Sequence, residues 1–158
     1  MNHQFLAVDL GATSGRTVLG TVTDDEVSIK ELTRFGHDIV SMGNHLYWDF
    51  PHLYNEIEKA LSLLASQGIT PTSIGIDTWG VDIVCFGADG LPLANPFSYR
   101  DPHTTDEPMR YFRECLPGDH VYDLTGIQVM NFNTLFQLSA MKRDGNSSLA
   151  AAKRIMFL

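Results

Sequence analysis

The sequence predicts an α/β fold: a mixed, five-stranded sheet with flanking helices. Three observations carry this. Short apolar runs near the N-terminus are joined by tight turns, which implies an antiparallel meander. The apolar period then becomes helical over Leu53, Ile57, Ala60, Leu61 and Leu64. A further β-type run, Ser73–Asp77, follows that segment, and a helical crossover places it parallel to its neighbour.

Each element has its own signal. Phe5–Leu10 is short, bulky and apolar, as a buried strand should be. Arg16–Val22 is a second strand, Asp24-Asp25 turns the chain, and Val27 to Phe35 is a third. Asp49 before Pro51 is placed to cap a helix, and Gly68 to end it in the left-handed conformation. Ser73–Asp77 is the fourth strand and Val81–Phe86 the fifth, followed by the turn Ala88-Asp89-Gly90. Thr104–Cys115 reads as a helix with Pro108 in its first turns. Asn133 caps a helix carrying Leu135, Phe136 and Leu138, and Ser147 or Ser148 a short one through Ala152. The strand-like run Ile155–Leu158 has no polar tail, so the chain is expected to be cut from something longer.

At 158 residues, 44% hydrophobic and 19% charged, the chain can bury one ordinary core. Its formal charge of −8 argues against nucleic acid or an anionic membrane as partner, since both need a basic face. The start MNHQFLAVDLG lacks a basic n-region and a cleavage site, and no apolar run approaches the roughly 20 residues that span a bilayer. Cys85 and Cys115 are too far apart for a CxxC motif. Two free thiols and a cytoplasmic location are expected.

The octet DLGATSGR, Asp9 to Arg16, raises the question of function. It fails the GxxxxGK[ST] pattern because Arg16 follows Gly15, and it fails GxGxxG because Thr13 is not glycine. TVLGTV behind it reads as a strand, which leaves a strand–turn–strand hairpin. Gly11 and Gly15 let backbone N–H groups approach phosphate oxygens; Thr13 and Ser14 add hydroxyls; Asp9 is placed to hold Mg²⁺ through water. A plain hairpin turn is the alternative. GIDTWGVD, Gly75 to Asp82, again puts an acid at a strand end. The two acids lie side by side if the first and fourth strands are neighbours, and open α/β sheets bind ligands at such ends. Trp79, taken alone, reads as core.

These residues together resemble a known family. The strand order and DLGATSGR resemble the first domain of the actin-like, ribonuclease H-like ATPase fold. GIDTWGVD, PFSYRD (Pro96 to Asp101) and TGIQVMNFNTLFQL (Thr125 to Leu138) resemble the FGGY carbohydrate kinases, and among these the ones that phosphorylate L-rhamnulose on its 1-hydroxyl with MgATP. The resemblance implies that Gly11, Ala12, Thr13, Ser14, Gly15 and Arg16 bind ATP phosphates, with Asp9 near the metal. It implies a sugar site at Trp79, Gly80, Asp82, Tyr99, Arg100, Asp101, Phe132 and Asn133. The family's catalytic base is an Asp late in the first domain, and its adenosine site lies in a second domain. Neither has a match here, so no catalytic residue is assigned.

The expected domain is therefore residues 1–158, an N-terminal FGGY kinase domain incomplete at its C-terminus, inactive alone. Self-association through Ile155–Leu158 is expected. Alternatives are a kinase for another ketose or a polyol, such as xylulose or glycerol, or a non-catalytic sugar-binding module.

Overall fold

In a computed structural model, residues 3–158 are described, and the chain forms two compact units. The first comprises the residues up to Asp38 together with Asp49–Trp79; the second comprises Ile39–Trp48 and Gly80–Leu158.

The first unit holds strands β1 (His3–Leu10), β2 (Ser14–Val22), β3 (Val27–Gly36) and β6 (Ser73–Asp77), and helix α1 (Phe50–Ser66). They form a four-stranded sheet of order β3-β2-β1-β6. β1, β2 and β3 are the antiparallel meander, and β6 runs parallel to β1. β1 is buried on one face only: Leu6, Val8 and Leu10 are buried, while Ala7 between them is exposed. α1 begins where predicted, since the Asp49 carboxylate accepts from His52 N–H at 3.1 Å. It buries Leu53, Ala60 and Leu64, and each leucine is worth about 1.5–3 kcal/mol. Ile57 and Leu61 are only half-buried.

The second unit holds two short hairpin-like sheets and four helices. β4 (Ile39–Met42) pairs with β5 (His45–Trp48), and β7 (Ile83–Phe86) with β8 (Arg154–Phe157), both antiparallel. The helices are α2 (Glu107–Glu114), α3 (Gly118–Thr125), α4 (Thr134–Arg143) and α5 (Ser147–Ala151). Ile83, Cys85 and Met141 form a core cluster packed by Phe97, Leu138, Leu149 and Ala152. Buried Glu107 accepts from Ser139 Oγ at 2.5 Å and pairs with Arg143, tying α2 to α4.

Several expectations are corrected. The fifth predicted strand does not extend the sheet: β7 pairs with β8, Ile83 opposite Phe157. The predicted helix over Thr104–Cys115 divides into a 3₁₀ turn at Pro102–Thr104, capped by Asp101, and α2. Asn146, not Ser147 or Ser148, caps α5 by accepting from Leu149 N–H at 2.9 Å. Asn133 precedes α4, but its side chain accepts from Met130 N–H at 2.7 Å instead of capping the helix. The β4–β5 hairpin and α3 were not anticipated. Gly43-Asn44 between IVSM and HLYW was a legible turn signal for the hairpin. Both cysteines are free, Cys85 buried and Cys115 exposed.

Candidate functional site

The first unit brings its two strand-end acids together. Asp9 and Asp77 are register partners across the parallel β1–β6 pair. On its other side Asp9 faces Arg16, whose Nε donates to Asp9 Oδ2 at 2.8 Å. Both side chains of this ion pair are about half exposed, at 48% and 45%.

The turn between β1 and β2 is closed by Gly11 N–H donating to Ser14 O at 2.9 Å. Thr13 and Ser14 are exposed. Gly15 has another duty: it is buried, and a Cβ there would lie 2.4 Å from Phe35 Cζ. Its missing side chain makes room for that ring. His37, just past β3, is buried and holds the turn from behind. Its Nε2 bonds Gly11 O at 2.7 Å, and its backbone N–H donates to Thr13 O at 3.3 Å. The Trp79 indole stacks on the His37 ring at 5.6 Å, so Trp79 belongs with the hairpin of the first unit.

The second unit assembles most of the remaining predicted residues around one carboxylate. Asp82 is fully buried. Its Oδ2 accepts from Trp48 Nε1 at 2.5 Å and from Tyr99 N–H at 3.1 Å, and its Oδ1 from Gln137 Nε2 at 2.8 Å. Gln137 also donates to Phe132 O at 2.9 Å. The Tyr99 and Phe132 rings lie 5.7 Å apart, and the Arg100 guanidinium stands 5.4 Å above the Tyr99 ring. Gly80 opens the segment at φ +43°, a conformation that favours glycine.

Asp101 is a second buried hub. It accepts from the Leu46 and His103 N–H groups at 2.5 and 2.8 Å and from His103 Nδ1 at 2.6 Å, with His45 Nδ1 at 3.2 Å. Burial pushes its carboxyl up, but these donors together hold it below the usual carboxylate range. Asp82 and Asp101, expected on the sugar, thus have their carboxylates engaged inside the unit. Gln137 and Trp48 were missed by sequence reasoning; a Gln and a Trp in short, weakly periodic runs carry no local signal for a shared carboxylate.

Gly80 and Asn133 line one cavity of about 370 Å³, whose other walls are largely apolar, among them Val81, Val121, Ile127 and Phe136. Among the described residues, no three His, Cys, Asp or Glu side chains are grouped to hold a metal ion, and no helix is long and apolar enough to cross a membrane.

Comparison with known proteins places this geometry. Residues 4–158 match the FGGY family of carbohydrate kinases, N-terminal domain. A protein named rhamnulokinase from Bacteroides thetaiotaomicron is 48% identical over 158 residues, covering 100% of this chain and 32% of its own length. A rhamnulokinase from Lactiplantibacillus plantarum is 38% identical, covering 98% of this chain and 31% of its own. The chain thus spans about a third of the length of these relatives. Among solved structures, a gluconate kinase from Lactobacillus acidophilus superposes with a TM-score of 0.80 at 14% identity, covering 99% of this chain and 31% of that one. A Plasmodium falciparum glycerol kinase with ADP gives 0.71 at 15%, covering 94% and 30%. Such low identities establish the fold alone, and the strand order β3-β2-β1-β6 agrees with the ribonuclease H-like expectation. The family match over almost the whole sequence goes further: the chain belongs to the FGGY family of carbohydrate kinases and carries its N-terminal domain.

Proposed function

We propose that this chain is the N-terminal part of an ATP-dependent kinase that phosphorylates L-rhamnulose on its 1-hydroxyl. The observation that carries the reading is 48% identity, over the whole of this chain, with a protein named rhamnulokinase. In this reading the Gly11–Arg16 hairpin takes the ATP phosphates through backbone N–H groups and the Thr13 and Ser14 hydroxyls. Asp9 and Asp77, two hard oxygen donors on adjacent strand ends, suit Mg²⁺ held through water. The ion, when bound, neutralises charge on the phosphoryl group in transit. The exposed Arg16 keeps Asp9 oriented through their ion pair.

The sugar is recognised in the second unit. Tyr99 and Phe132 offer ring faces to the C–H surface of a ketose. Asp82 fixes the backbone that carries Tyr99, and Arg100, over that ring, is free to reach a hydroxyl. Asp101 holds the same segment from its other end.

A coupled ADP-release assay on the complete kinase tests the proposal. L-Rhamnulose is expected to be favoured over xylulose and glycerol by about tenfold or more in kcat/KM. Equal rates with all three reject the substrate assignment. The 158-residue chain alone is expected to show no sugar-dependent turnover, because transfer needs a closed site that excludes water.

A further inference from the structure

Resting on the phosphate-hairpin reading above, we infer that His37 is a positioning residue for the nucleotide phosphates, acting by turning the Gly11–Ala12 peptide. A carbonyl oxygen only accepts, so the 2.7 Å contact with Gly11 O places the proton on His37 Nε2. In a trans peptide the C=O and the following N–H point in opposite directions. Drawing Gly11 O back onto His37 therefore turns Ala12 N–H away from that ring. Among the described residues, no backbone carbonyl takes the N–H of Ala12 or Thr13. Donors left open beside two exposed hydroxyls are what an anion requires.

The imidazole is itself held in place. The preceding residue, Gly36, accepts from His52 Nε2 at 3.0 Å, from the first turn of α1. The ring is buried and stacked on Trp79. Thr13 O, by contrast, is held by the backbone N–H of His37, so the peptide before Ser14 does not depend on the side chain. Ala12 and Ser14 thus form a test pair within one turn.

The variants separate donor from ring. His37→Phe keeps an aromatic ring against Trp79 and loses the donor; His37→Gln supplies an N–H donor without the ring. The probe is tripolyphosphate, titrated into the chain while the ¹⁵N amide shifts of Ala12 and Ser14 are followed. His37→Phe is expected to move the unliganded Ala12 amide more than that of Ser14, and to weaken tripolyphosphate binding about tenfold. His37→Gln is expected to bind within about threefold of the parent. In the complete kinase the same loss should fall on KM for ATP and not on KM for sugar. Parent-like binding by His37→Phe, or equal weakening by both variants, overturns the role of His37 alone. No response of the parent hairpin to tripolyphosphate overturns the phosphate reading itself, and this inference with it.

Discussion

Asp9 and Asp77 face each other at the carboxyl ends of parallel strands β1 and β6. Neighbouring strands lie about 4.8 Å apart, so two carboxylates there repel unless a cation intervenes. Arg16 answers the charge of Asp9 from the other side. Asp9→Asn keeps the shape and removes the charge. In the complete kinase it should lower kcat by on the order of 10²-fold, and Asp77→Asn should raise the Mg²⁺ concentration needed for half-maximal rate. Loss of the thermal transition with full activity per folded molecule would make Asp9 structural.

Gly15 lies under the Phe35 ring, 2.4 Å from Cζ at the position of a Cβ. Gly15→Ala should cost about 1–3 kcal/mol through overpacking. Phe35→Leu in the same chain should recover part of that loss, although alone it destabilises. Denaturant midpoints of the two single variants and the double variant test this. Strict additivity would show that the ring is not the obstacle.

The buried Asp82 depends on donors from three parts of the second unit. Trp48→Phe removes one and should cost about 1–3 kcal/mol. Gln137→Leu should cost a similar amount, and the double variant should depart from the sum because both donors serve one carboxylate. A double-mutant cycle in urea measures the coupling, and a value near zero would contradict the hub.

Acid should weaken the second unit in a defined window. Burial pushes the His103 imidazole down, against the upward pull of Asp101, and the net shift is below its ordinary value of 6.5. Between the folded and unfolded pKa values the unfolded chain binds more protons. Stability is therefore full above about pH 6.5 and falls as the pH drops below it. The Asp101 carboxyl is also held low, so its contribution is present above its ordinary 3.8 and is lost in stronger acid. Urea midpoints should fall between pH 7.5 and 5.5, and His103→Gln should flatten that slope. An unchanged midpoint would refute the assignment.

Exposed apolar strands should make the chain self-associate. Phe157 on β8 is 62% exposed, and Ile76 on β6 is 57% exposed. Both strands lie at sheet edges with open backbone groups. Light scattering should show association at high concentration, reduced by deleting Ile155–Leu158. A monomer at millimolar concentration for both forms would exclude it.

Much of the first unit was legible because its signals are local. The short apolar run of β1, the Asp49 cap, the helical stripe of α1 and the run Ser73–Asp77 are each local signals. The juxtaposition of Asp9 and Asp77 was legible on the condition that the first and fourth strands are neighbours, which the parallel β1–β6 pair meets. The second unit was less legible because its elements are short and weakly periodic.

The sequence by itself determined the hairpin, the crossover helix and the parallel pair, because backbone propensity, caps and apolar period act over one or two turns of chain. Only the tertiary structure decided that β7 takes β8 as partner, that Asp82 is shared by Trp48, Tyr99 and Gln137, and that His37 stands behind Gly11. Those contacts join residues 17 to 55 positions apart in the Asp82 hub and 26 apart at His37. Their physical cause is burial: a polar group removed from water must find its partner wherever the packed chain brings one, and no local pattern encodes which residue that is.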